Sequence, residues 1–129
     1  MTPSPRYRVL IVEDEALIRW SLRERLLAEG IEVIEAGDAA TALDQISDNG
    51  ISGALLDLRL PDMSGLEVLK AFRVRHPDCP VWIMTAYGTP AAEELAEKLR
   101  VREFVNKPFD LNELVQKVVS ALAEHDESE

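Results

Sequence analysis

Short apolar runs alternate with amphipathic helical segments five times along the chain, and this alternation limits the possible folds. The predicted strands are 7–12, 31–35, 53–57, 81–85 and 104–106. The predicted helices are 16–29, 39–49, 65–75, a segment that begins at 90, and a last one that begins at 111. Strands that alternate with helices form parallel sheets. The sequence therefore predicts an α/β fold, a doubly wound five-stranded parallel sheet with helices on both faces.

Capping residues mark the starts of the last four predicted helices. They are Asp38, Ser64, Thr89 and Asp110. Ser64 and Asp110 each precede a glutamate by three positions, which is the spacing of a capping box. Thr89 precedes Pro90, and proline is favoured at the first position of a helix. These signals place the loops of the sheet as well as its helices.

Length and charge narrow the class of protein. The 129 residues suffice for one domain with a single core. A net charge of −10 argues against direct binding of nucleic acid, because phosphate contacts need clustered Lys and Arg. No apolar run reaches the roughly 20 residues of a membrane span, and the single cysteine, Cys79, fits a cytoplasmic location. We expect 1–6 to be disordered, 7–124 to form the domain, and 125–129 to be a tail or the start of a linker.

Polar residues follow four of the predicted strands at the point where each strand ends. Glu13 and Asp14 follow the first, Asp57 ends the third, Thr85 ends the fourth and Lys107 follows the fifth. The carboxyl ends of parallel strands meet at one edge of a sheet. Converging carboxylates favour a hard cation such as Mg²⁺. An aspartate beside Mg²⁺ and a lysine is suited to form an aspartyl phosphate.

The same residues belong to motifs that identify a family. The motifs are Glu13-Asp14, Asp57-Leu58-Arg59-Leu60-Pro61 followed by Gly65, Thr85-Ala86, and Lys107-Pro108-Phe109. In this order and spacing the chain resembles the receiver domains of two-component response regulators, over about residues 8–123. The resemblance implies a flavodoxin-like sheet with strand order 2-1-3-4-5.

Four longer segments resemble the nitrogen regulatory protein C group within that family. They are 18–20, 75–77, 83–88 and 107–110. This resemblance implies that an AAA+ ATPase and a DNA-binding domain follow, and that the output is sigma-54-dependent transcription. The alternative is a stand-alone, single-domain phosphorelay receiver without its own DNA-binding output.

The resemblance to receivers also implies a role for each site residue. Asp57 accepts a phosphoryl group from a sensor histidine kinase. Mg²⁺ is held by Asp14 and Asp57, by Glu13 directly or through water, and by the backbone carbonyl of Arg59. The phosphate and switch residues are Thr85, Ala86, Lys107 and Phe104. The Lys107–Pro108 bond is expected to be cis, and the phosphorylated domain to form a homodimer.

Arg59 and Tyr87 are predicted to control how long the phosphate lasts. On a receiver fold both side chains overhang the path of the water that hydrolyses the aspartyl phosphate. Neither is a good general base at neutral pH, because Arg stays protonated and free Tyr has a pKa of about 10. We expect them to shield the phosphate. The alternative is that both point into solvent and have no effect.

One position departs from the family pattern. Arg100 stands where the family often has a glycine, and a non-glycine residue in a sparsely populated backbone region costs on the order of 1–3 kcal/mol. Either Arg100 bears this strain or the fourth helix ends differently.

Two other classes of protein stay open. A phosphatase with an aspartate nucleophile would carry Asp-x-Asp after the first strand and a cap domain, for which the chain is too short. A docking module that is never phosphorylated would not need the complete set of acidic pair, Asp57, Thr85 and Lys107. We therefore favour a phosphoacceptor signalling domain over an enzyme that acts on other molecules.

Overall fold

The fold is seen in a computed structural model that describes residues 7–86 and 88–127. The described residues form a five-stranded parallel sheet in the order β2-β1-β3-β4-β5, as predicted. The strands are β1 (Arg8–Val12), β2 (Glu32–Ala36), β3 (Gly53–Asp57), β4 (Val81–Thr85) and β5 (Glu103–Asn106). The predicted disordered segment 1–6 and Tyr87 lie outside the described residues.

Helices cover both faces of this sheet. They are α1 (Ala16–Ala28), α2 (Ala39–Gln45), α3 (Gly65–Arg75), α4 (Pro90–Lys98) and α5 (Leu111–Glu127). Successive residues of a strand point to opposite faces, so Val9 and Ile11 of β1 pack with α1 and α5, whereas Leu10 and Val12 pack with α2, α3 and α4. The two apolar clusters fix the sheet between two helical layers. Within the described residues, no helix is both long and apolar enough to span a membrane.

The predicted capping residues all accept a backbone hydrogen bond at a helix start. The acceptors and donors are Asp38 and Thr41, Ser64 and Leu66, Thr89 and Ala92, and Asp110 and Glu113. Glu67, the predicted second member of the first capping box, instead hydrogen-bonds Lys70. The caps therefore begin the helices where the sequence indicates, because each satisfies a backbone N–H that lacks a partner within the helix.

Two helix ends differ from the sequence prediction. Helix α2 ends at Gln45 rather than near Asn49, because Asp48 accepts hydrogen bonds from the Gly50 amide and from the Arg8 guanidinium. These contacts hold 48–50 as a turn. Helix α5 continues through 125–127, which the sequence prediction assigned to a tail, and 128–129 lie outside the described residues.

The turn between α4 and β5 settles the question raised by Arg100. Its φ is 61°, so Arg100 takes the left-handed conformation itself, and α4 ends at Lys98. The buried guanidinium of Arg73 on α3 donates to the carbonyls of Leu99 (2.8 Å) and Arg100 (3.2 Å). It also donates to the carbonyls of His76, Pro77 and Cys79. Arg73 therefore ties the strained turn to the end of α3.

Candidate functional site

Lys107 lies among the carboxylates at the carboxyl edge of the sheet, the edge formed by the C-terminal ends of the strands. Its Nζ is 2.8 Å from Asp57 Oδ2 and 2.6 Å from Glu13 Oε1. The Glu13 contact is an ion pair, and Glu13 Oε1 accepts no hydrogen bond from the described residues. Glu15 Oε1 is 3.5 Å away. The structure thus brings together side chains that are far apart in sequence.

The acidic residues of this edge are close enough to share one cation. One carboxylate oxygen from each of Glu13, Asp14 and Asp57 lies within 4.8 Å of the other two. Glu13 and Asp57 are buried, and Asp14 is exposed to solvent. Oxygen ligands from a few carboxylates, with one side open to water, are the donor set that Mg²⁺ prefers.

The charges of the site are not balanced by Lys107 alone. Burial raises the pKa of Glu13 to about 7, and the negative charge of Asp57 acts in the same direction, against the stabilising contacts of Lys107 and the Glu15 amide. Burial opposes the charge on Lys107, but its hydrogen bond to Asp57 and its ion pair with Glu13 outweigh burial and raise the pKa of the ammonium. Glu13 is thus costly to ionise where it stands. A divalent cation would remove that cost, so the donor set fits Mg²⁺.

The loop after β3 holds Asp57 in place through backbone contacts. The Arg59 amide donates to Asp57 Oδ1 (2.9 Å), while Oδ2 of the same carboxylate faces Lys107. The Gly65 amide donates to the Leu58 carbonyl (2.8 Å). A Cβ on Gly65 would lie 2.1 Å from the Asp57 carbonyl oxygen, which only a glycine avoids. The close approach at Gly65 brings the start of α3 against the backbone of Asp57 and Leu58.

The end of β1 is held by residues that the sequence analysis did not assign to the site. Arg19 of α1 donates to the Glu13 carbonyl (2.7 Å) and forms an ion pair with Glu35 of β2. The Glu15 amide donates to Glu13 Oε2 (3.1 Å). Helical periodicity could have placed Arg19 one turn after Glu15 on the same side of α1, but its target, a backbone carbonyl, leaves no signal in the sequence.

The predicted phosphate and switch residues lie on β4, β5 and the segment after β4. Thr85 is buried, follows the register partner of Asp57, and accepts the Lys107 amide at its carbonyl (2.8 Å). Phe104 of β5 is half-buried, and its ring lies against Gly88. Ala86 is exposed. The Lys107–Pro108 bond is cis, as the family resemblance implies.

Comparison with known families identifies the class of protein that carries this fold and site. Residues 9–119 match the model of the response regulator receiver domain. This match covers most of the chain, and the chain belongs to that family.

One named relative and two solved structures support this family assignment. The chain is 33% identical over 121 residues to the DNA-binding transcriptional regulator NtrC of Escherichia coli, covering 94% of this chain and 26% of NtrC. It thus spans about a quarter of that relative's length. A CheY-like receiver domain protein from Methanospirillum hungatei superposes with a TM-score of 0.90 at 28% identity, covering 95% of this chain and 98% of that one. Response regulator TrrA of Thermotoga maritima, solved with Mg²⁺ and BeF, is 33% identical with a TM-score of 0.76, covering 90% and 98%.

Proposed function

We propose that Asp57 accepts a phosphoryl group from a phosphohistidine of a sensor kinase and that the domain acts as a signalling switch with no substrate beyond itself. The observation that carries the proposal is the contact of Lys107 with Asp57, 2.8 Å long, beside a cluster of three carboxylates. A lysine and a cation at the acceptor oxygen supply most of what phosphoryl transfer requires, because that reaction depends on positioning and charge stabilisation. We place this reaction in the cytoplasm, with which the single cysteine is consistent.

The transfer forms one bond and breaks one. A carboxylate oxygen of Asp57 attacks phosphorus, the P–N bond to the histidine breaks, and its electron pair leaves with the imidazole nitrogen. Bound Mg²⁺, held by Asp14 and Asp57, by Glu13 directly or through water, and by the Arg59 carbonyl, would supply positive charge to the phosphoryl oxygens. Lys107 adds a second positive charge from the side of Asp57 Oδ2. Buried Thr85 lies at the end of the adjacent strand. In this proposal Thr85 and Ala86 both form hydrogen bonds to the phosphate.

A groove beside the site is suited to the kinase. The phosphohistidine must come within bonding distance of Asp57, so the kinase has to cover the carboxyl edge of the sheet. The groove is lined by Leu17, Ile18 and Ser21 of α1 together with Lys107 and Phe109. Leu17 is 74% exposed, which is high for a large apolar side chain. We propose that this apolar groove receives the kinase surface around the phosphohistidine.

The test of the proposal is phosphorylation by a small donor. Incubation with acetyl phosphate and Mg²⁺ is expected to add one phosphoryl group, seen by intact mass. Asp57→Asn should stay unmodified, whereas Asp44→Asn, which replaces an exposed carboxylate on α2 outside the acidic cluster, should be modified like the parent. A parent protein that gains no phosphoryl group, or an Asp57→Asn variant that still gains one, contradicts the proposal.

The lifetime of the phosphate depends, in this proposal, on Arg59 and Tyr87. The Arg59 side chain is exposed at the edge where the phosphate forms, and Tyr87 lies outside the described residues. Arg59 can pair with a phosphate oxygen and shield phosphorus from water. After removal of the donor, Arg59→Asn and Tyr87→Glu should lose the phosphate faster than the parent. Unchanged or slower loss shows that these residues do not shield it.

We also propose an output through a homodimer and through following AAA+ ATPase and DNA-binding domains that control sigma-54-dependent transcription. The 33% identity to NtrC, of which the chain matches a quarter, supports this assignment. The net charge of −10 argues against DNA contact by this domain itself. The sequence encoded after residue 129 tests the assignment: an ATPase region supports it, and a stop codon favours the stand-alone phosphorelay receiver.

The homodimer is tested separately. Sedimentation with beryllofluoride, a mimic of the phosphoryl group, should show association in the parent and less association in Thr85→Ala.

A further inference from the structure

Asp62, in the loop between β3 and α3, reaches across to the start of α2. Its Oδ1 accepts a hydrogen bond from the Ala39 amide (2.8 Å), and its Oδ2 accepts one from the Ala40 amide (2.9 Å). These two bonds lower the pKa of Asp62, so the carboxylate is ionised at neutral pH. Charge-assisted bonds of this kind are stronger than neutral ones. The loop is therefore attached to an element that lies more than twenty positions earlier in the chain.

Helix α2 already has a capping residue of its own. Asp38 Oδ1 accepts the Thr41 amide (2.8 Å). The first turn of α2 thus meets two carboxylates, one that belongs to the chain entering the helix and one that belongs to a distant loop. Both stabilise the helix start in the same way. What distinguishes Asp62 is the link that it makes between α2 and the loop.

The loop 59–64 has few other contacts that fix its tip. Its base is held by the Arg59 amide on Asp57 and by a short antiparallel bridge between Arg59 and Ser64. Beyond the base, Leu60 packs against the apolar cluster that includes α2 and α3, while Pro61, Asp62 and Met63 are exposed. The two bonds of Asp62 therefore anchor the exposed part of the tip to α2.

From these contacts we infer that Asp62 is a positioning residue, which presets the 59–64 loop so that the Arg59 carbonyl meets a divalent cation. The inference rests on the proposed phosphoacceptor function, in which that carbonyl is a Mg²⁺ ligand. Asp62 touches neither the cation nor the phosphate; it acts by removing freedom from the backbone that does. Residues that orient metal ligands in this way typically change metal affinity on the order of tenfold or more when they are replaced.

The experiment compares Asp62→Ala with Asp38→Ala, which removes the other carboxylate from the same helix start. Mg²⁺ is titrated and binding is followed by calorimetry and by the Arg59 amide resonance. The dissociation constant for Mg²⁺ is expected to rise on the order of tenfold in Asp62→Ala and to stay within about twofold of the parent in Asp38→Ala, because only the former releases the loop. Equal dissociation constants in the two variants overturn the inference.

A second readout needs neither metal nor phosphate. Without Mg²⁺, hydrogen exchange in the first turn of α2 should accelerate in both variants, whereas exchange at the Arg59 amide should accelerate in Asp62→Ala alone. An Arg59 amide that exchanges alike in both variants overturns the inference. If Asp62→Ala does not fold, Asp62→Leu takes its place; its side chain keeps a branched shape but has no acceptor oxygen, so an unchanged Mg²⁺ affinity in that variant also overturns the inference.

Failure of the inference is distinguishable from failure of the proposed function. A parent protein that acetyl phosphate modifies at Asp57, together with an Asp62→Ala variant that binds Mg²⁺ like Asp38→Ala, contradicts the positioning role alone. A parent protein that is not modified at all contradicts the proposed function.

Discussion

At the scale of single residues, the one ammonium of Lys107 does not balance the three carboxylates that lie together at the carboxyl edge of the sheet. The Lys107 ammonium contacts both Asp57 and Glu13, and the carboxylate of Asp14 lies nearby with its side chain in solvent. Taking a carboxylate out of water is unfavourable unless a charge or hydrogen bonds compensate. Burial raises the pKa of Glu13 to about 7, because the contacts with Lys107 and the Glu15 amide compensate it only in part. The excess of carboxylates favours a bound cation, and in the proposed function this cation and Lys107 offset the charge of the phosphoryl group.

A second residue at this scale is Arg100, whose φ of 61° is strained for any side chain with a Cβ. Arg100→Gly is expected to stabilise the domain by about 0.5–1 kcal/mol. Left-handed conformation costs about 1–2 kcal/mol outside glycine, and glycine returns about 0.4–1 kcal/mol of this by its greater freedom in the unfolded chain. Urea unfolding measures the difference.

Arg100→Ala is the matched control for charge. The Arg100 side chain also lowers the pKa of Arg73, after the larger effect of burial, because the two guanidinium groups repel each other. Alanine removes this repulsion and keeps the Cβ, so only glycine relieves the backbone. A glycine variant no more stable than the alanine variant would show that strain at Arg100 is not the cause.

At the scale of elements, the sequence predicted those features that depend on neighbours along the chain. The apolar runs correctly predicted the first and last residues of β3 and β4, and Thr89 with Pro90 correctly predicted the start of α4. Features that depend on distant contacts were missed. The early end of α2 follows from the pairing of Asp48 with Arg8, forty positions apart.

The candidate site divides in the same way. Its charged side chains could be predicted, because parallel strands end at one edge and polar residues at those ends must converge. The groups that position them could not. Arg19 acts on a backbone carbonyl, and Asp62 acts on the amides of a helix that it does not belong to. Such contacts exist only after the layers have packed, and they leave no periodic pattern in the sequence.

Gly88, just before α4, packs directly on Phe104 of β5, and this contact couples the two elements. A Cβ on Gly88 would lie 2.8 Å from Cε1 of the Phe104 ring. Gly88→Ala is therefore expected to destabilise the domain by about 1–3 kcal/mol through overpacking. In a Phe104→Leu background the smaller side chain leaves room, so the same change should cost much less. Double-mutant analysis of urea unfolding measures the coupling, expected to be at least about 0.5 kcal/mol.

Phe109→Leu is the control background for this cycle. It also replaces a half-buried phenylalanine by leucine, and the contacts of a Gly88 Cβ are with Phe104 and Glu93 instead. Gly88→Ala should cost as much in that background as in the parent. Equal costs in all three backgrounds would show that Gly88 and Phe104 are not energetically coupled. The segment that carries Ala86 would then be free to move without the aromatic ring that we propose as part of the switch.

At the scale of the whole molecule, the candidate site joins most of the sheet. Glu13 follows β1, Asp57 ends β3, and Lys107 follows β5, with Thr85 at the end of β4 between them. Unfolding separates these strand ends, so the unfolded chain has no preformed cluster of carboxylates. A cation that binds the cluster must therefore bind the folded domain far better than the unfolded chain. Binding at one edge should in this way stabilise the entire fold.

Mg²⁺ is accordingly expected to raise the melting temperature. At one hundred times the dissociation constant, a ligand that binds only the folded state stabilises it by about 2.7 kcal/mol. For a domain of 129 residues this corresponds to a rise of about 10 °C. The reference is NaCl of matched ionic strength, because screening alone stabilises a chain with a net charge of −10. Asp14→Asn is the control variant: Asp14 is exposed, so its replacement removes a proposed ligand without disturbing the core. Its rise should be much smaller, and a rise equal to that of the parent would place the cation elsewhere.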